Sequence, residues 1–174
     1  MATPHDVPRS HRPQPIKPGA AQESVWDYPR PPRVEPRSER VVVRLGGQVI
    51  ADTTDSVRVL ETSHPPVYYL PIDAFPAGVL VPVMGTSFCE FKGQAHYFDV
   101  VAGGVAAPRA GWTYPEPNRG FDGLSDRVAL YPGKMDSCEV GGERVMPQAG
   151  GFYGGWITSQ IVGPFKGGPD TMGW

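Results

Sequence analysis

Three Gly-Gly doublets, each set between two short runs rich in β-forming residues, constrain this chain more than any other feature. They are Gly46-Gly47, Gly103-Gly104 and Gly141-Gly142. Glycine adopts the positive φ that a two-residue hairpin turn requires, so each doublet predicts a β-hairpin. The other apolar runs are short, bounded by proline or glycine, and lack a sustained 3.6-residue period. The pattern therefore predicts an all-β barrel or sandwich.

Proline is concentrated at the start of the chain and predicts an arm over residues 1–39. Nine of the 21 prolines fall within the first 36 residues. Proline lacks the amide donor and fixes φ, so we expect this arm to stay out of the sheets and to be largely disordered before about residue 23. Trp26 and Tyr28 form either a strap over the core or a lid over a pocket, because large aromatic side chains favour burial.

Residues 40–140 carry the predicted β core, and residues 141–174 form an extension of different composition. The extension has ten glycines with aromatic residues between them. A flexible linker would be rich in glycine and serine without aromatics, so we expect an irregular segment held on the core by Tyr153, Trp156 and Phe165. The alternative is an aromatic strip that binds a partner or joins two copies in a homodimer.

Charge and cysteine content exclude several classes of protein. The 16 basic and 18 acidic residues give a net charge of -2, which argues against nucleic acid as the partner. No apolar stretch approaches the roughly 20 residues of a membrane-spanning helix, and no secretory signal is visible. Two cysteines are too few for a disulfide framework, so a cytoplasmic protein is expected.

Residues from about Arg40 to Val140 resemble the domain-of-unknown-function family 427, which also carries a nucleotidyltransferase-like label. The resemblance rests on four segments: VLETSHPPVYYLP (59–71), CEFKGQAHY (89–97), WTYPEP (112–117) and VALY (128–131). It implies a β-tent, in which two small antiparallel sheets meet at an angle. Zinc-binding proteins said to share that fold use two CxxC pairs, whereas Cys89 and Cys138 stand alone here. We therefore expect no metal and no cofactor, with hydrophobic packing holding the sheets.

The candidate ligand-binding residues combine aromatic rings with a few charges. Strand alternation places Trp112 and Tyr114 on one face, and it places Val57, Val59 and Glu61 on the side opposite Arg58 and Leu60. The aromatic density predicts either a core or an aromatic-walled pocket between the sheets that binds a small polar or aromatic ligand. The residues of the predicted pocket are Arg58, Glu61, Tyr69, Lys92, Tyr97, Trp112 and Tyr114.

Catalysis is the alternative to binding. A Cys89 thiolate stabilised by Lys92 could act as a nucleophile, with Glu61 or His64 as its proton partner, although lone cysteines are most often buried apolar residues. Glu61, Cys89 and Lys92 are thus the catalytic candidates. Nucleotidyl transfer finds no support, because the chain has no D-x-D pair and no phosphate-binding loop of the GxxxxGK[ST] type.

Overall fold

The computed structural model describes residues 12–174 and has the predicted all-β class. Residues 1–11, which make up about half of the segment expected to be disordered, lie outside the described residues. Among the described residues, helical structure is confined to four three-residue 3₁₀ turns, at Val25–Asp27, Ile72–Ala74, Asp122–Leu124 and Pro132–Lys134. In this part of the chain no helix has the length and apolar character needed to cross a bilayer.

The described part of the chain has fifteen strands. They are β1 (Glu23–Ser24), β2 (Arg33–Arg37), β3 (Val41–Leu45), β4 (Gln48–Thr53), β5 (Ser56–Leu60), β6 (Val67–Pro71), β7 (Leu80–Cys89), β8 (Gly93–Ala102), β9 (Val105–Thr113), β10 (Arg127–Leu130), β11 (Ser137–Val140), β12 (Glu143–Arg144), β13 (Met146–Pro147), β14 (Trp156–Ile157) and β15 (Ile161–Val162).

Two antiparallel sheets make up most of the molecule. The larger has seven strands in the order β2-β5-β6-β10-β9-β8-β7, and the smaller has four in the order β12-β11-β3-β4. The short strands β1 and β15 form a parallel pair, and β13 and β14 an antiparallel pair. All three Gly-Gly hairpins are confirmed: the doublets join β3 to β4, β8 to β9 and β11 to β12, with positive φ at all six glycines.

The main hydrophobic core lies between the two sheets. The small sheet contributes Val41, Val43 and Cys138, and the large sheet contributes Leu70 and Leu130 among others. Each of these side chains is at most 2% exposed. Burial raises the pKa of the Cys138 thiol to about 12, so this cysteine is a packing residue. The space between the sheets is therefore filled.

The opposite face of the large sheet carries a second apolar cluster. Alternation along β6 sends Tyr68 and Leu70 into the main core and Tyr69 to this other face. Trp112 on β9 and Ala129 on β10 are directly opposed across the strands and lie on the same face as Tyr69. The second cluster surrounds the candidate site.

The arm is part of the fold in the residues that the structure describes. Strand β2 pairs with β5 along the edge of the large sheet, so the expectation that the arm stays out of the sheets was wrong for this segment. An edge strand accommodates Pro36 because one of its sides has no neighbouring strand to receive a hydrogen bond. Trp26 and Tyr28 pack with Leu60 and Ile161 as a strap over the sheet.

Candidate functional site

An aromatic cavity of about 420 Å³ opens on the outer face of the large sheet. The expectation that the pocket lies between the sheets was wrong. Successive side chains of a strand point to opposite faces of the sheet, and the rings of this cavity are on the face away from the main core. A larger depression of about 620 Å³, beside Asp55 and Asp122, has no aromatic ring among its lining residues. Ligand sites are usually apolar clefts with a few convergent polar groups, so the aromatic cavity is the candidate site.

Four strands of the large sheet supply the floor of the cavity. Tyr97 on β8 lies directly opposite Trp112 on β9, and the Trp112 indole N–H donates a hydrogen bond of 3.2 Å to the Tyr69 hydroxyl on β6. Val59 completes the floor from β5. Burial raises the pKa of Tyr69, which keeps its hydroxyl protonated. The floor is thus fixed by strand register and by one buried hydrogen bond.

The extension supplies a wall of the cavity. Gln148, Phe152, Tyr153 and Lys166 all line it. The chain crosses so close to Trp112 at Gly154 that a Cβ there would collide with the indole ring. Glycine is therefore required where the extension meets the floor.

A chain of three polar side chains runs along one side of the cavity. Glu61 and His64 are brought together by a turn in which the His64 amide donates to the Glu61 carbonyl at 3.0 Å and Ser63 has a φ of 72°. The His64 Nε2 atom lies 3.4 Å from the Glu61 carboxylate, and its Nδ1 atom lies 3.3 Å from Gln148 Nε2. Arg30 also reaches the Glu61 carboxylate, at 3.2 Å.

Gln148 determines which nitrogen of His64 carries the proton. Its side-chain oxygen accepts from the Gly155 amide at 3.1 Å, so its NH₂ group faces both the Lys166 carbonyl, at 2.6 Å, and His64 Nδ1. Nδ1 is then an acceptor, and the proton sits on Nε2 and points to Glu61. Burial, together with the charges of Lys166, Arg30 and Lys92, lowers the pKa of His64 to about 4. The imidazole is neutral at physiological pH.

The structure brings five of the seven predicted ligand-binding residues together. Those lining the cavity are Glu61, Tyr69, Lys92, Tyr97 and Trp112. Arg58 lies elsewhere because it is on the opposite side of β5, where it is 1% exposed and paired with Glu23 at 2.8 Å and Glu35 at 2.5 Å. Tyr114 is buried in the second apolar cluster beneath Lys92 and does not line the cavity.

Cys89 and His64, the partners of the catalytic alternative, also line the cavity. No hydrogen bond in the described part of the chain joins the Cys89 thiol to His64 or Glu61. Both ring nitrogens of His64 are already engaged, so neither has a lone pair directed at a thiol. His64 is therefore not placed to take a proton from the Cys89 thiol.

Most aromatic rings of the C-terminal strip pack against other parts of the chain. Trp156 is 1% exposed and stacks on Tyr68, and Trp174 packs against Trp26. Phe152 is the exception, with 76% of its surface exposed at the rim of the cavity. This arrangement supports the interpretation that the extension packs on the core.

Sequence reasoning missed several residues that line the cavity, and four of them matter most to its walls. They are Tyr131, Gln148, Phe152 and Lys166. The interleaving of aromatics and glycines in the extension was a signal for Phe152, but it predicted only packing. Gln148 and Lys166 stand in no periodic pattern, and only the path of the chain brings them to the site.

Fold and site define an all-β protein in which two antiparallel sheets enclose the core and an aromatic cavity opens on the outer face of the larger sheet. In the described residues, no cluster of three or more His, Cys, Asp or Glu side chains could hold a metal ion. The sequence profile of the domain of unknown function DUF427 matches residues 33–141, more than half of the chain, and the chain belongs to that family. A search of curated proteins found no match. The wall that the extension adds to the cavity lies beyond the matched residues.

Proposed function

We propose that the protein binds a small molecule with a flat, aromatic part in the cavity on the outer face of the large sheet. The observation that supports this most is the convergence of rings from separate strands and from the extension around a space of about 420 Å³. That volume falls within the ~300–1,000 Å³ typical of small-molecule sites.

Polar groups at the cavity support a binding role over simple core packing. A dry core avoids hydroxyl and charged groups, because burying them without partners is costly. Here Glu61, His64 and Lys92 reach the cavity from its side, and the Tyr97 hydroxyl, hydrogen-bonded to Ser87 at 2.6 Å, adds a donor or acceptor. Such groups fix the orientation of a ligand whose flat part lies against the rings.

The test is a thermal-shift screen of a metabolite library against the wild-type protein and two variants. A ligand present at 100 times its Kd should stabilise the protein by about 2.7 kcal/mol. Tyr153→Ala removes one ring of the wall and should abolish or strongly reduce the shift. Met172→Ala, an exposed position of the same extension (86% exposed), is the matched control and should keep it. A library without hits, or a hit that stabilises Tyr153→Ala as much as the wild type, would contradict the proposal.

A cytoplasmic location and a homodimer stay predictions from the sequence. Cysteine usage is the reason for the first. The exposed Phe152 ring, at the rim of the site, is the one part of the C-terminal strip that supports the second.

A further inference from the structure

We propose that the ligand of the cavity is an aromatic carboxylate, whose negative charge is bound by Lys92 and Lys166. This inference rests on the proposed function and specifies its ligand class. Three features support it: the balance of charges around the cavity, the lack of an Asp or Glu partner for either lysine within residues 12–174, and the engagement of Glu61.

The charges facing the cavity are unbalanced. Among the described residues that line it, Glu61 is the only acidic one, whereas Lys92 and Lys166 are basic. The whole chain carries a net charge of -2, so this excess of positive charge is a local property of the site. A cleft lined by charge of one sign attracts ligands of the opposite sign.

Glu61 is already engaged and offers little to a cationic ligand. Its carboxylate receives the Arg30 guanidinium at 3.2 Å and the His64 Nε2 atom at 3.4 Å. A ligand ammonium would have to displace one of these groups, and it would also be repelled by the two lysines. Aromatic rings alone would attract a cationic ligand, but the charges of the two lysines repel one.

Both lysine ammonium groups are available to an anion. Within residues 12–174 neither lies within 4.0 Å of an Asp or Glu carboxylate. Lys92 Nζ lies 5.6 Å from the centroid of the Tyr114 ring, and Lys166 Nζ lies 5.7 Å from that of Tyr153. Lys166 also donates to the backbone oxygen of Trp174 at 3.3 Å, which leaves the other N–H groups of its ammonium for a ligand. The two ammonium groups thus lie beside tyrosine rings, and no described Asp or Glu side chain pairs with either of them.

The two ammonium groups act on the same part of the cavity. Both lysines line the same cavity as His64, and both of their charges contribute to the lowered pKa of that residue. Two ammonium groups on one cavity offer a charged donor to each oxygen of a carboxylate. A phosphate is often held by backbone amides at the N-terminus of a helix, and the described part of the chain contains no α-helix.

The experiment measures by calorimetry the affinities of four matched probes: 1-naphthylacetate, 1-naphthylacetamide, 1-naphthylmethylamine and 1-naphthyl phosphate. We expect the acetate to bind about tenfold more tightly than the amide, equivalent to about 1.4 kcal/mol. The amine should bind most weakly. Added salt should reduce the preference for the acetate, because it screens the lysine charges.

Lysine variants test whether Lys92 and Lys166 bind the negative charge of the ligand. Lys92→Met and Lys166→Met should each reduce acetate affinity several-fold and leave amide affinity nearly unchanged. Lys17→Met is the matched control, because Lys17 is exposed on the arm and does not line the cavity. It should change neither affinity.

The outcomes separate this inference from the proposed function. Equal binding of acetate and amide, or tighter binding of the amine or the phosphate, overturns the carboxylate assignment and leaves the binding role intact. If none of the four probes binds while a library compound does, the carboxylate assignment again fails alone. If neither the probes nor any library compound binds, both proposals fail.

Discussion

At the scale of the residue, the hydrogen-bond partners of His64 make it a sensor of acid. Protonating the ring would place an Nδ1–H group against the NH₂ group of Gln148, and turning that amide over would break its bond with the Gly155 amide. The protonated form is thus disfavoured by hydrogen bonding as well as by burial and the neighbouring cations. The Glu61 carboxylate, although close, does not reverse this balance.

The low pKa of His64 predicts a loss of stability in weak acid. The unfolded chain binds a proton near pH 6.5 and the folded protein only near pH 4. The unfolded state is therefore favoured as pH falls between these values, and the stability present above pH 6.5 decreases by on the order of 3 kcal/mol. Urea unfolding at pH 7, 6, 5 and 4 measures the change, and an NMR titration of the imidazole measures the pKa directly.

Two histidine variants test whether His64 causes this dependence of stability on pH. His64→Gln cannot titrate in this range, so its stability should depend much less on pH. His96→Gln replaces an exposed histidine and should retain the wild-type slope. An imidazole of His64 that titrates at 6.5 or above in the folded protein would refute the prediction.

At the scale of the element, the arm and the extension hold each other in place. Strand β1 pairs with β15 in parallel, and the Ile16 amide donates to the Gly163 carbonyl at 2.9 Å. The Trp26 indole N–H donates to the Pro164 carbonyl at 2.9 Å, and its ring lies 5.7 Å from that of Trp174. Because Lys166 follows closely, the strap supports the wall of the cavity without lining it.

Trp26→Ala should therefore destabilise the protein and loosen the extension. Truncating a buried tryptophan costs roughly 3–5 kcal/mol. Hydrogen exchange should accelerate most over residues 157–166, more than in β6 or β10 of the large sheet. Met172→Ala, exposed on the same extension, should leave exchange unchanged. Uniform acceleration throughout the chain would show that the strap does not act on the extension in particular.

The elements that the sequence predicted well are those determined by local chemistry. Each Gly-Gly doublet fixes its own turn, and alternation identified the shared face of Val59 and Glu61. The course of the extension could not be predicted in the same way. Its contacts with the cavity depend on a long-range approach, such as Gly154 against Trp112, that leaves no period in the sequence. Arg58 was wrongly assigned to the pocket because its acidic partners lie on the arm, which was expected to stay out of the sheets.

At the scale of the whole molecule, two of the predicted hairpin turns connect the sheets. The β3–β4 turn of the small sheet and the β8–β9 turn of the large sheet meet backbone to backbone. A Cβ at Gly46 would collide with the Ala102 carbonyl oxygen, and one at Gly103 would collide with the Gly46 carbonyl oxygen. The same glycines that predict local hairpins therefore also close one end of the main core.

Alanine substitutions can separate these two roles of the turn glycines. Gly46→Ala combines the strain of a positive φ, 59°, with a backbone collision, whereas Gly47→Ala has a φ of 75° and open space around the new methyl group. We expect Gly47→Ala to lose about 1 kcal/mol of unfolding free energy from strain alone. Gly46→Ala should lose roughly 1–3 kcal/mol more, because the sheets must move apart to admit the methyl group.

The second turn provides an independent repeat of the same comparison. Gly103→Ala should behave like Gly46→Ala, and Gly104→Ala, with a φ of 77° and nothing within 4 Å, like Gly47→Ala. Urea unfolding of the four variants measures the differences. If Gly46→Ala or Gly103→Ala is too unstable to purify while its neighbour folds, the order of stability is the same. Equal stability within each pair would mean that the turns do not hold the two sheets together, and that the side chains of the main core alone join them.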